Sequence, residues 1–217
     1  MNIGIIGGTG PAGQGLALRF ASAGFKVTVG SRDAERAQSV VAELVDVHAG
    51  RSLDIRGGSN TDAADGDTVV LATPWDAAAP TAASLVDHLG DKLVICMANA
   101  LARVGKEFYA LYPPRGSIAA DVQATIPGAH VVAAFQHLPA RELADIDTDM
   151  EGHVLVCADR LDALDETIKL IESLPNLRGL DCGSLANAGP VEAFTAVLLQ
   201  LNRRYRTLTS ISINGIP

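Results

Sequence analysis

The chain opens Met1-Asn2-Ile3-Gly4-Ile5-Ile6-Gly7-Gly8-Thr9-Gly10-Pro11-Ala12-Gly13, an apolar run that breaks into glycines and resumes as a helical pattern from Gln14 to Ala23. No other segment constrains the fold as strongly. Gly8, Gly10 and Gly13 fit the G-x-G-x-x-G spacing between a strand and a helix, the context in which this spacing marks a dinucleotide site. By that rule Gly8 turns the chain tightly off the strand, Gly10 lets the backbone approach a pyrophosphate, and Gly13 lets the helix pack on the strand. The helix amino terminus then presents unpaired N–H groups and the positive end of its dipole to the phosphates.

The second strand, Lys26 to Gly30, ends where NAD-binding folds place an acid for the ribose 2′-hydroxyl, about 20 residues after the glycines. Ser31 and Arg32 stand there instead, with Asp33, Glu35 and Arg36 behind them. A guanidinium grips a phosphate bidentately, and Arg36 lies one helical turn further on. The pattern therefore points to NADP. Asp33 leaves a contact with the ribose open, if the loop is shifted by a residue or two.

Strand and helix patterns alternate along the chain, which implies an α/β fold of the Rossmann type, a doubly wound parallel sheet. Strands are predicted near 2–6, 26–30, 53–56, 68–72, 92–97 and 130–135. Helices are predicted near 12–23, 33–47, 60–64, 76–88, 100–111 and 117–124. A different rhythm follows, with strands at 153–158 and 178–182, an amphipathic helix at 161–174, and a long helix at 190–208. The division expected is a nucleotide-binding Rossmann domain over 1–127 and a smaller carboxyl-terminal α/β part over 128–217. No Ser/Pro-rich linker separates them, so the second part should be docked tightly on the first.

A 48% hydrophobic chain with only 4% aromatics needs a core of Ala, Val, Leu and Ile, which suits a parallel sheet covered by helices. A net charge of −8 argues against nucleic acid or an anionic membrane as the main partner. No run reaches the roughly 18 apolar residues of a membrane helix. The apolar amino terminus lacks a basic leader and is used as a strand, so a cytoplasmic setting is expected. Cys96, Cys157 and Cys182 show no C-x-x-C spacing and read as reduced, packed thiols. The histidines are scattered, and no metal site is predicted.

Ligands of open α/β sheets sit at the carboxyl ends of the strands. Thr73-Pro74-Trp75 ends the fourth strand there, and Pro74 would fix the backbone so that Thr73 and Trp75 wall a cofactor. A packing role for Trp75 fits equally well. Asn99 follows the fifth strand, placed for a nicotinamide, a substrate or a helix N-cap. His137-Leu138-Pro139 follows the sixth, where His137 could serve a ligand or simply be packed. No Ser-His-Asp set, paired carboxylates or active-site lysine emerges. Hydride exchange between two ring systems needs positioning and exclusion of water more than a strong acid or base, and it fits that absence.

Taken in order, Gly7-Gly8-Thr9-Gly10, Gly13, Val29-Gly30-Ser31-Arg32, Thr73-Pro74-Trp75, His137-Leu138-Pro139-Ala140 and Asp181-Cys182-Gly183-Ser184-Leu185-Ala186-Asn187 resemble the NADPH-dependent coenzyme F420 reductases, also called F420-dependent NADP oxidoreductases. The resemblance runs from Met1 to about Leu208. It implies a Rossmann domain for NADP, a carboxyl-terminal part that helps enclose the deazaflavin, and hydride transfer between NADP(H) and coenzyme F420. It further implies that Thr9, Ser31, Arg32 and Arg36 hold the 2′-phosphate and its ribose, although many relatives have Lys where this chain has Arg36. Thr73 and Pro74 would line the cofactor cleft, with His137 and Pro139 on the deazaflavin side; Asn99 and Leu138, from their places after the fifth and sixth strands, are expected to join them there.

The chain departs from the family where Met97-Ala98-Asn99-Ala100 replaces a proline-bearing turn after the fifth strand. That turn lies where the second ring would stack. A flavin or a small imine or carbonyl compound is therefore the alternative acceptor, and an NADP-binding module without catalysis is the alternative role. Reductase domains of membrane ferric reductases share the nucleotide half. The apolar final helix and the tail from Ile211 to Ile216 suggest a homodimer.

Overall fold

The computed structural model describes residues 1–216. The chain runs β1 (Asn2–Ile6), α1 (Pro11–Ser22), β2 (Lys26–Ser31), α2 (Ala34–Val47), β3 (Ile55–Ser59), α3 (Asn60–Ala64), β4 (Thr68–Leu71), α4 (Trp75–Ala83), α5 (Val86–Leu89) and β5 (Leu93–Cys96). A hairpin of β6 (Leu101–Val104) and β7 (Glu107–Ala110) follows, then α6 (Ile118–Thr125), β8 (His130–Ala133), α7 (Ala140–Ala144), β9 (Gly152–Ala158), α8 (Leu161–Glu172), β10 (Leu177–Asp181), a 3₁₀ turn over Leu185–Asn187 and α9 (Ala188–Tyr205).

Eight strands form one sheet in the order β10-β9-β8-β5-β4-β1-β2-β3. All pairs are parallel except β8 with β9. The order reverses beside β1, which has β2 on one side and β4 on the other, so a crevice opens there at the carboxyl ends. The sheet is continuous across residue 127, because β8 pairs with β5 along Leu93–Cys96. Residues on both sides of the expected domain boundary thus share one sheet. Pro217, the end of the expected second part, lies outside the described residues.

The strands are apolar on both faces, as burial beneath helices on both sides requires. On β5, Leu93 and Ile95 face one core with Leu16 and Phe20 of α1 and Leu170 and Ile171 of α8. Val94 and Cys96 face the other, with Ala78 of α4, Ile118 and Val122 of α6 and Val191 of α9. Helix starts are fixed locally. Asp33 caps α2 by accepting from Arg36 N at 3.2 Å, and Ser59 with Asp62 forms a capping box on α3.

The structure corrects the sequence reading at residues 100–111, which form the hairpin β6–β7 and not a helix. Gly105, at φ +58°, opens a two-residue turn between Val104 and Glu107, and glycine takes that backbone without strain. Phe108 N donates to Gln200 Oε1 at 3.3 Å, which ties the hairpin to α9. The expected helix over 76–88 is divided into α4 and α5. The strand expected at 53–56 runs instead from Ile55 to Ser59.

The helix α7 was not predicted. Arg19, buried on α1, donates from Nε to Leu143 O at 3.1 Å and from Nη2 to the carbonyls of Glu142, Asp145 and Thr148, which gathers α7 and the following turn onto α1.

Candidate functional site

A cleft of about 460 Å³ lies at the crevice beside β1, lined by the glycine turn, the start of α1, the ends of β2 and β4, and the start of α3. Such a volume is ordinary for a small-molecule site. Thr9, Gly10, Gly13, Ser31, Arg32, Arg36, Thr73 and Pro74 all line it.

The glycines divide their roles differently from the simple motif reading. Gly7, not Gly8, makes the turn. It sits at φ +69°, and a Cβ there would lie 2.6 Å from Thr73 Cγ2. Gly8 is buried beneath the cleft and does not line it. Its N–H donates to Gly30 O at 2.9 Å, joining β1 to the end of β2. Gly13 packs on that turn, since a Cβ at Gly13 would meet Gly8 Cα at 2.6 Å. Gly10 is the opposite case, with no atom within 4 Å of where its Cβ would be. It is also the N-cap of α1 and offers no side-chain cap, and Pro11 at the first helical position has no N–H, so the N–H groups of Ala12 and Gly13 receive no cap from Gly10. That combination is an anion cradle.

Other features of the cleft fit a phosphorylated nucleotide. Arg32 and Arg36 are exposed, and among the described residues neither has an ion-pair partner. Asp33 is occupied in capping α2, while its own N–H donates to Ser31 Oγ at 3.2 Å, so the acid next to the arginines serves the helix start. The Thr73 hydroxyl is buried without a hydrogen-bond partner at the cleft wall. Asn60 was missed by sequence reasoning. Its Oδ1 accepts from Gly7 N at 3.1 Å and holds the glycine turn in place. Its position directly after β3, beside the end of β2, was the available signal. The ionisable residues lining the cleft are the two arginines, so the cleft can bind phosphate and position a ring but holds no general acid or base of its own.

The residues expected on the other side of the ring do not line this cleft. Asn99 caps no helix. Its Nδ2 donates to Gln136 O at 2.7 Å and its Oδ1 accepts from Thr195 Oγ1 at 3.1 Å, so it joins the ends of β5 and β8 to α9. Phe135 occupies the left-handed region at φ +66°, with its ring edge-on to Phe20 at 5.9 Å, and it turns the chain after β8 inward.

His137 is consequently buried. Its Nε2 accepts from Leu155 N at 3.1 Å, and burial lowers its pKa to about 4, so the ring is a neutral brace for β9. Leu138 is buried in the core, while Pro139, half-buried, begins α7. Trp75 is 38% exposed at the start of α4 and does not line the cleft.

Two further groups at this end of the sheet escaped the sequence reading. The Gln136 side chain is buried with both amide atoms unpartnered. Glu192 of α9, 3% exposed, accepts from Ile118 N at 2.8 Å and Ala119 N at 3.1 Å at the start of α6. Burial raises its pKa to about 7, against the lowering effect of those two N–H bonds.

Comparison with known proteins shows the family. Residues 2–100 match the family described as NADP oxidoreductase coenzyme F420-dependent. The whole chain is 34% identical to the F420-dependent NADP reductase of Methanothermobacter thermautotrophicus, covering 96% of that protein. It is 35% identical to the F420-dependent NADP reductase of Methanocaldococcus jannaschii, covering 99% of it. Among solved structures, a candidate F420-dependent NADP reductase from Arthrobacter sp. FB24 superposes with a TM-score of 0.84 at 23% identity, over 97% of this chain and 98% of that one.

Proposed function

The chain belongs to the F420-dependent NADP reductase family, and from that membership we infer that it is an oxidoreductase moving a hydride between NADP(H) and coenzyme F420. The observation that carries this reading is the cleft, where an open glycine cradle, unpaired Arg32 and Arg36 and the free Thr73 hydroxyl meet at the turning point of a Rossmann-type sheet. The nucleotide supplies the hydride chemistry when bound. The protein's part is to bind, orient and exclude water.

Within that reading the residues take the following roles. Gly10 and the first N–H groups of α1 face the pyrophosphate. Arg32 and Arg36, with Ser31 and Thr9, hold the 2′-phosphate and its ribose, and this choice of cations selects NADP over NAD. Gly7, Gly8 and Gly13 shape the turn, pinned by Asn60. Thr73 and Pro74 wall the cleft towards the nicotinamide. Leu138 and Pro139 belong to the deazaflavin side, and Asn99 and His137 act by holding the 136–139 segment in place.

Incubating the protein with NADPH and oxidised F420 tests the reading. Loss of deazaflavin absorbance at the expense of NADPH supports it. Oxidation of NADPH by a flavin or an imine with F420 untouched would replace F420 by the alternative acceptor. Tight NADPH binding with no acceptor reduced would reduce the protein to a binding module.

The expected homodimer is supported by an apolar groove of about 520 Å³ between the hairpin and α9, with Tyr109, Tyr112, Phe194 and Val197 exposed along it. Sedimentation at equilibrium tests it, and a monomer mass at micromolar concentration would refute it. Among the described residues no helix is long and apolar enough to cross a membrane. The three free thiols support the cytoplasmic setting.

A further inference from the structure

Cys157 and Cys182 are 25 residues apart in sequence, yet they lie side by side. They follow directly on the register of the parallel pair β9–β10, in which Val156 faces Asp181, and Cys182 N donates to Val156 O at 2.8 Å. One step further along, Cys157 stands opposite Cys182. Adjacent strands lie about 4.8 Å apart. That falls within the roughly 4.4–6.8 Å of Cα separation that a disulfide spans. Both thiols are on the same face of the sheet, since Cys157 belongs to the core beneath α9 and Cys182 packs against it. The third cysteine, Cys96, is on that face too, but it is two strands from Cys157.

We propose that Cys157 and Cys182 form a reversible redox site, a dithiol that hydrogen peroxide or an organic hydroperoxide converts to a single disulfide. The two sulfurs differ as an attacking and a resolving thiol must. Cys182 is half-buried, at the end of an edge strand, where a small oxidant can reach it, whereas Cys157 is fully buried. Cys182 Sγ donates to Leu180 O at 3.5 Å, and its contact with Cys157 lowers its pKa to about 7 against its partial burial, so Cys182 is the sulfur that ionises first. The Cys157 thiol is pushed up by the same contact and by burial, and it keeps its proton.

The chemistry balances without further groups. The Cys182 thiolate attacks one peroxide oxygen, the O–O bond breaks, and the departing hydroxide takes a proton to leave as water, giving a sulfenic acid on Cys182. The Cys157 sulfur then attacks the Cys182 sulfur, the S–O bond breaks, and a second water leaves with the Cys157 proton. Two thiols lose two electrons and two protons, and one peroxide becomes two waters. A dithiol reductant restores both thiols by exchange.

The bond would fasten the end of β10 to β9 immediately before the turn that starts α9. That turn is already held by Asn187 Nδ2 donating to Cys182 O at 2.7 Å and by Leu185 N donating to Asp159 Oδ1 at 3.0 Å.

The test uses the full-length protein treated with a few equivalents of hydrogen peroxide. Its intact mass should fall by about 2 Da, as loss of two hydrogens requires. Thiol titration should fall from three groups to one, and peptide mapping should join the Cys157 and Cys182 peptides. Cys157→Ser should instead accumulate a dimedone-reactive sulfenic acid on Cys182, and Cys182→Ser should give no cross-link. The wild-type peptide map decides the question even if a variant fails to fold. A wild-type product that gains one or two oxygens on Cys182 without a cross-link, a cross-link to Cys96, or full thiol retention at doses that oxidise glutathione would each overturn the proposal.

Discussion

Substituting alanine separately at Gly10 and Gly13 distinguishes a ligand cradle from an ordinary turn. At Gly10 the backbone is at φ −79° and ψ 164°, which alanine adopts freely, and the new methyl would have no neighbour within 4 Å. The weaker N-cap costs a few tenths of a kcal/mol to about 1. The less flexible unfolded chain offsets about 0.4–1 kcal/mol of that. Stability of Gly10→Ala should therefore stay within about 1 kcal/mol of the parent, a shift of no more than about 4 °C in Tm for a chain of this size. The methyl would, however, stand where a pyrophosphate must approach the helix start. NADPH binding should weaken at least tenfold, or about 1.4 kcal/mol.

At Gly13 the added Cβ would lie 2.6 Å from Gly8 Cα and 2.8 Å from Gly8 O, so backbone would have to move. Forcing a methyl into such a contact costs about 1–3 kcal/mol. Gly13→Ala should lower Tm by several degrees. Urea unfolding with NADPH titration calorimetry on both variants supplies the numbers. A Gly10→Ala protein that binds NADPH within about twofold of the parent would refute the cradle, because the prediction depends on that methyl alone.

Arg32→Ala should weaken NADPH at least tenfold while leaving NADH within about twofold, measured by fluorescence titration, and equal losses would show that the 2′-phosphate lies elsewhere. Arg19→Met should destabilise the fold by about 3 kcal/mol in urea, since it leaves the carbonyls of Glu142, Leu143, Asp145 and Thr148 without their buried donor. Glu192 has a folded pKa raised from 4.5 to about 7, so the folded state holds its proton longer, and this group's contribution to stability is lost as pH rises between those values. His137, depressed from 6.5 to about 4, acts in the opposite sense, because the unfolded chain gains the proton as pH falls through that range. The difference in unfolding free energy between the parent and Glu192→Gln isolates the first effect, and should change by about 3 kcal/mol from pH 4.5 to pH 7 in the direction of relative gain for Gln. A flat difference would mean that the carboxyl titrates alike in the folded and unfolded chain.

The glycine turn, the arginines after β2 and the run of buried strands were legible in the sequence because each depends on local spacing. Strict alternation of strand and helix patterns then implied the parallel sheet, and Arg32 and Arg36 line the cleft where the strand order reverses. The hairpin β6–β7 was not legible. Ala100-Leu101-Ala102 favours a helix locally, whereas Gly105 and the contact of Phe108 with Gln200 of α9 decide otherwise. The helix α7 is too short to carry a periodic signal, and it is fixed by Arg19 from the opposite end of the Rossmann half.

His137 shows the same limit at the site. Its place at the end of a strand suggested an open position, but the left-handed backbone of Phe135, supported by Phe20, turned it into the core. Asn60 and Glu192 act on glycine and helix N–H groups far along the chain, and no local pattern announces such pairs.

Isotope tracing separates direct hydride transfer between the two rings from every indirect route. The protein is supplied with NADPH carrying deuterium at the transferable position, together with oxidised F420 in ordinary water, and the reduced deazaflavin is weighed. Each reduced F420 should retain one deuterium, as contact between two rings in a water-excluding cleft requires. Reduced F420 carrying only solvent hydrogen, or no reduced F420 at all, would contradict it.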